Sequence, residues 1–280
     1  MLIEYLDAGS ISLLCVLTFV VGACIASFVN CWAWRASHGI SVMHGRSRCL
    51  SCEHELKAID LIPIISWLML RGKCRYCGAK ISVSCIVTEI LLGVAFVAIV
   101  LVYGFSVETI ELLCFASALM FLSLYDIESF KIPNACIVVI LAIRIIYMVY
   151  AVLSNNMQLS DVGYYVLSAV GTGIIFLIII IIMDAILKRE SMGGGDLKLF
   201  VAAALFFGAV QMVFLVILSC IIGLIVIIAS GSFKKAKINE TTDKGEKSRP
   251  IPFGPSISIA CILTMLIGTP FVNWYLGMLL

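Results

Sequence analysis

LKLFVAAALFFGAVQMVFLVILSCIIGLIVIIAS, Leu197 to Ser230, contains one charged residue in 34. A helix crosses about 30 Å of hydrocarbon with about 20 apolar residues. This run is therefore too long for one ordinary span and just long enough for two short ones, with a turn near Gly208 to Gln211. The choice decides the topology. As a single helix it would send the basic tract KKAKINETTDKGEKSR, Lys234 to Arg249, to the opposite side of the membrane from every other basic segment. As a hairpin it keeps all of them on one side, which the positive-inside rule demands.

Working outward, further apolar windows fall near residues 11–34, 83–103, 109–125, 135–153, 162–186 and 256–279, giving eight spans in all. The composition agrees: 62% of the 280 residues are hydrophobic, 13% are charged, and the mean hydropathy is +1.14. Such values exclude an ordinary water-soluble domain. The first window follows Glu4 and Asp7 with no Lys or Arg before it, so it reads as a retained span rather than a cleaved secretory signal. With the N-terminus outside, residues 35–82, 126–134, 187–196 and 231–255 lie inside. Every Lys and Arg except Arg144 then falls inside or at an inner helix end, and both termini are expected outside. The connections near 104–108, 154–161 and 208–211 contain no Lys or Arg. The expected fold is thus an all-α polytopic membrane protein of about eight transmembrane helices, with a cytoplasmic zinc-binding loop between the first and second. Its expected divisions are a first helix (1–34), a loop (35–82) and a membrane domain (83–280) that includes the basic loop 231–255. The tract 230–249 reads as a cytoplasmic segment drawn to anionic headgroups.

The loop holds four of the twelve cysteines as two hooks, CLSC (Cys49, Cys52) and CRYC (Cys74, Cys77). Four thiolates delivered this way make a closed tetrahedral shell suited to a structural zinc ion, with iron the competitor. A shell filled by sulfur leaves no place for a reactive water. The other eight cysteines are scattered singly, mostly through apolar stretches, and argue against a disulfide framework. Between the hooks, LKAIDLIPIISWLMLRG is too short to span and contains Pro63, so it reads as an interfacial or re-entrant segment.

Two acids stand at inner span boundaries. Asp126, in SLYDIESFKIPN, ends the third span, and Asp196, in SMGGGDLKLF, opens the sixth. Two nearby carboxyls can hydrolyse a peptide bond without a metal: the ionised one takes a proton from water while the protonated one supports the carbonyl oxygen. Gly193, Gly194 and Gly195 permit backbone angles closed to other residues and leave room for an extended peptide beside Asp196. Glu128, two residues past Asp126, ranks below it as a supporting or solvated group. A rival reading makes the intramembrane acids Glu89, Asp126, Asp184 and Asp196 the path of a transporter or proton relay, with the zinc loop docking a partner.

Taken together, GACIASFVNCWAWR, SRCLSC, DLIPIISWLMLRGKCRYCGAKIS, Glu89, DIESFKIPN, MGGGDLKLF and the FGP of 253–255 resemble the bacterial type IV prepilin peptidases, a family of GxGD membrane aspartic proteases. The resemblance implies that Asp126 and Asp196 are catalytic and that the four cysteines bind zinc; Gly193 to Gly195 are expected to receive substrate, and Glu89 to be a structural or a substrate-positioning acid. It implies cleavage of a leader peptide after a glycine, on the cytoplasmic face of the inner membrane, from prepilins or pseudopilins of type IV pilus and secretion systems. N-methylation of the new N-terminus with S-adenosylmethionine is implied by the long cysteine-bearing loop that accompanies it in the family. The lipid bilayer and these substrates are the expected partners, with no nucleic acid, and oligomeric state is left open. Ser84-Cys85-Ile86 replaces an Arg-Tyr-Pro-like run common before Glu89 in the family.

Overall fold

The computed structural model describes residues 7–41, 45–188, 191–229 and 252–279; the basic tract of 230–249 and His44 lie outside them. Among the described residues there is no sheet, only two isolated bridges, Arg48 with Glu55 and Lys73 with Lys80. Within the described residues eight α-helices follow one another: α1 (Ala8–Ser37), the short α2 (Ile65–Met69), α3 (Val83–Tyr103), α4 (Val107–Ser129), α5 (Asn134–Leu153), α6 (Leu159–Leu187), α7 (Gly194–Ala229) and α8 (Gly254–Leu279). All but α2 are long and apolar enough to cross a membrane. At 1.5 Å per residue α7 would rise about 54 Å, nearly twice the hydrocarbon thickness. It does not run through: Gly208 has φ 70° and ψ 176°, outside the helical region, and divides α7 into limbs 194–207 and 209–229. The break falls where the sequence predicts a turn, and α7 contributes two helical limbs in place of one straight helix.

The chain forms two compact units, residues 1–128 and 129–280. In the first, α1 lies along α3, and the contact is set by glycine. A Cβ on Gly22 would stand 2.9 Å from the Gly93 Cα and the Leu92 carbonyl oxygen, so the two backbones meet where only hydrogen fits. Small residues at a helix contact let van der Waals packing replace the hydrophobic drive that lipid removes. Farther along, the Asn30 Nδ2 donates to Thr88 Oγ1 at 2.6 Å. Asn30 therefore serves helix pairing. α4 joins through Val29, Ala33 and Leu124, flanked by Ile25, Met120 and Phe121.

In the second unit α6 runs antiparallel to the first limb of α7, with Tyr164 against Gly208, Gly173 against Val201 and Phe176 stacked on Phe200 at 4.7 Å. α8 lies along the second limb, where Phe253 covers Gly223, Gln211 donates to Thr269 at 2.8 Å and Phe214 meets Phe271. α5 begins just after Pro133, whose fixed φ suits a helix start and which stands at the N-cap. The preceding helix, α4, ends at Ser129, and Phe130 directly after it takes φ 54°.

Candidate functional site

The two cysteine hooks fold as near copies. In the first, the Cys49 N–H donates to the His54 carbonyl and the Glu53 N–H to the Cys49 carbonyl; in the second, the Cys74 N–H donates to Ala79 and the Gly78 N–H to Cys74. Each closes on a left-handed residue directly after its second cysteine, Glu53 at φ 58° and Gly78 at φ 73°. This turn aims backbone N–H groups at the sulfurs. The four Sγ atoms lie within 4.8 Å of one another, and Cys49 and Cys77 are 3.8 Å apart. Zinc–sulfur bonds of about 2.3 Å in a tetrahedron place sulfurs about 3.8 Å apart, so the cluster has the size of a zinc shell. The Cys49 thiol is lowered to about 6 by the N–H groups of Ser51 and Cys52. Cys77 behaves oppositely: the Ala79 N–H pulls it down, but desolvation and the sulfurs of Cys52, Cys74 and Cys49 outweigh that and push it to about 12. Four thiols so placed cannot all ionise without a cation among them.

His38 and His54 do not join the cluster. His38 stacks on Trp34 at 4.4 Å between ring centroids, and the His54 ring meets Tyr76 at 3.7 Å, tilted by 34°.

A residue that sequence reasoning passed over organises the loop. The Asp60 carboxylate, its side chain 3% exposed, accepts from the Arg75 Nε at 2.6 Å, the Tyr76 hydroxyl at 3.1 Å and the Lys57 N–H at 3.2 Å. Arg75 and Tyr76 are the two residues inside the CRYC hook, so Asp60 ties the connecting segment to the cysteine cluster. Enclosure pushes this carboxyl up, but the hydrogen bonds from Arg75, Lys57 and Tyr76 prevail and hold it below the usual range.

The segment between the hooks is a 3-10 turn, Ala58–Leu61, followed by α2. Ile64, at φ 62°, starts α2, and its N–H donates to the Glu89 Oε2 at 2.7 Å. Glu89 is buried in the second turn of α3, a span, so the segment is held at the depth of that turn. Leu61, Ile62, Ile65, Leu68 and Met69 are exposed beside it. These positions fit the interfacial or re-entrant segment expected from the sequence.

Asp126 is buried, 5% exposed, in the last turn of α4, and Glu128 beyond it is exposed. Asp196 is the third residue of α7, half-buried in its first turn. The three glycines before it differ from expectation in one respect: none of them takes a positive φ. Close approach explains one of them, since a Cβ on Gly195 would lie 2.8 Å from the Ile132 Cβ. Gly194 faces open space, with nothing within 4 Å of its would-be Cβ. Lys198, one half-turn past Asp196, donates to the Asn134 Oδ1 at 2.9 Å, joining GGGDLK to the IPN that follows Asp126 in sequence. Asp184, near the end of α6, accepts from the Ser191 N–H at 2.7 Å and so anchors the approach to the glycines.

These features define a polytopic membrane protein with a four-cysteine cluster of the size of a metal shell and two acids at helix ends. Residues 20–103 match the Bacterial Peptidase A24 N-terminal domain and residues 113–228 the Type IV leader peptidase family. A Type 4 prepilin-like proteins leader peptide-processing enzyme of Escherichia coli O78:H11 is 30% identical over 91% of this chain and 95% of its own. A Prepilin leader peptidase/N-methyltransferase of Bacillus subtilis is 28% identical over 94% of this chain and 98% of its own, and one of Stutzerimonas stutzeri 28% over 82% and 74%. No solved structure matches. The chain belongs to the type IV prepilin leader peptidase family.

Proposed function

We propose that this protein is a membrane aspartic endopeptidase that removes the leader peptide of prepilins or pseudopilins, and that it then methylates the new N-terminus. The observation that carries the reading is similarity along almost the whole chain to a relative named for both activities and to another named for leader-peptide processing. Asp126 and Asp196 are the catalytic pair in this reading. One carboxylate accepts a proton from water as that water attacks the scissile carbonyl. The other, protonated, donates a hydrogen bond to the carbonyl oxygen and stabilises the charge that develops there. Collapse of the tetrahedral species returns a proton to the leaving amine and restores the shared-proton state. Gly194, with open space beside it, and its neighbours Gly193 and Gly195 receive the extended substrate backbone.

Cys49, Cys52, Cys74 and Cys77 would hold zinc, which would supply structure to the loop rather than catalysis. Glu89 fixes the α2 segment through Ile64, so any contact with substrate is made through that segment. S-adenosylmethionine is the methyl donor. Cleavage falls after a glycine on the cytoplasmic face of the inner membrane, the loop of 35–82 lies on that face, and both termini lie outside. Nothing in the fold favours the transporter reading over this one.

The test is cleavage of a prepilin-like peptide with a basic leader by the detergent-solubilised protein, beside Asp126→Asn and Asp196→Asn, with labelled S-adenosylmethionine reporting methyl transfer. Both variants should lose cleavage. Cleavage retained by both would reject the assignment. Labelling of single cysteines on either side of the membrane checks the topology.

A further inference from the structure

Arg144 is the one basic residue that the positive-inside pattern leaves unexplained. It lies about midway along α5 and is 5% exposed. An ionisable residue inside a span is expensive and calls for a reason. Its guanidinium carbon stands over the rings of Tyr165 at 4.7 Å, Phe206 at 5.2 Å and Tyr147 at 5.5 Å, and its Nε donates to the Leu205 carbonyl at 2.7 Å.

The choice of that carbonyl is informative. In an unbroken helix the N–H of Ala209 would donate to the carbonyl of Leu205. The break at Gly208 takes the two groups out of helical register, so each needs another partner. Side chains from the two neighbouring helices take them up: Arg144 of α5 serves the Leu205 carbonyl, and the Tyr164 hydroxyl of α6 accepts from the Ala209 N–H at 3.1 Å. Tyr164 also leaves no room at the break, since a Cβ on Gly208 would lie 2.6 Å from its Cε1. At the opposite end of the same limb, Lys198 bonds to Asn134 at the start of α5. The limb 194–207 is thus fastened to α5 at both ends, once beside Asp196 and once at the break.

We propose that Arg144 is a positioning residue for Asp196, which, with Tyr164, pins the Gly208 break and so fixes how far the 194–207 limb stands along α5. The inference rests on the assignment of Asp196 as catalytic. A helix is stiff along its axis, so a limb free to slide or fray at one end misplaces the carboxylate at the other. Misplacement of about 1 Å is enough to cost about 100-fold in rate.

The test compares wild type, Arg144→Met, Arg144→Lys and Tyr164→Phe in detergent, by amide hydrogen exchange over residues 194–212 and by peptide-cleavage kinetics. Arg144→Met is expected to speed exchange of residues 203–210 at least tenfold and to lower kcat at least tenfold with KM within about twofold. Arg144→Lys, which keeps a donor, is expected to recover a large part of both. Tyr164→Phe removes only a hydroxyl, and it is expected to speed exchange at 209 and to lower kcat less, so it decides the matter if Arg144→Met does not fold. Unchanged exchange in the folded variants would overturn the clamp. Faster exchange with unchanged kcat, or a loss of rate that Arg144→Lys does not relieve, would overturn the positioning role. If wild type fails to cleave, or Asp196→Asn cleaves as well as wild type, the peptidase assignment and with it the role toward Asp196 fall, while the exchange data still decide the clamp.

Discussion

Asp60→Ala is the sharpest test of how the cysteine loop is built. The substitution removes three acceptor contacts at once. The bond from Arg75, at 2.6 Å, is charge-assisted and belongs to a class contributing about 1.5–3 kcal/mol, that from the Lys57 N–H contributes about 0.5–1.5 kcal/mol, and the exposed Tyr76 hydroxyl readily turns to water instead. Arg75 is 42% exposed, so water recovers part of its loss, and a net effect of about 2–3 kcal/mol is expected. Because ordering of such a loop and capture of its metal are one linked equilibrium, the loss appears in metal affinity. At 1.4 kcal/mol per tenfold, zinc should bind about 30- to 150-fold more weakly. The assay is competition with a chromophoric chelator, using the full-length protein in detergent. Asp60→Asn, which keeps an acceptor but loses the charge, should fall between. Affinity of Asp60→Ala within about threefold of wild type would refute the claim that this carboxylate holds the second hook in place. The carboxyl sits below its ordinary value, so its contribution is present above the unfolded pKa of about 3.9 and is lost only as pH falls through the folded one.

Other outcomes follow from the same residues. Cys49→Ser or Cys74→Ser should reduce bound zinc from about one per chain to near none by metal analysis. With Cys49 ionising at about 6 and Cys77 at about 12, loading zinc at pH 7 must displace protons, so affinity should rise with pH, more steeply below pH 6 where Cys49 too is protonated. A pH-independent affinity between 5 and 8 would contradict this. Gly22→Val should loosen the α1–α3 contact by about 1–3 kcal/mol, the usual cost of overpacking, because the clash is with backbone atoms that have no rotamer to yield. Gly208→Ala should lower the thermal midpoint, as it combines a backbone conformation close to glycine-only with a collision against Tyr164.

The spans were legible because twenty-residue hydropathy is a local property that lipid enforces without reference to the rest of the chain. The break in α7 was legible for the same reason, with charge placement deciding between two readings of one run. The cysteine cluster was readable from spacing alone, since two CxxC hooks have few other uses. Asp60, Arg144 and the bond between Glu89 and Ile64 could not be read in this way. Each is a long-range partnership in which a polar group meets a backbone atom or a distant side chain, and nothing in the sequence marks which backbone groups lack partners. Arg144 left a trace as the exception to the positive-inside pattern. Of the three glycines before Asp196, Gly195 alone leaves no room for a side chain, and the reason is contact with Ile132 rather than an unusual backbone angle.

The pairing of α1 with α3 bears on how the cysteine loop matures. Asn30 with Thr88, and Gly22 against Gly93, hold together the two helices from which residues 38–82 depart and return. The loop is therefore a tethered ring, and a ring has fewer arrangements to surrender on closing than a chain with free ends. A peptide of the same residues cut from the membrane should take up zinc more weakly than the whole protein, and in the cell insertion of the second long helix would come before the cluster closes.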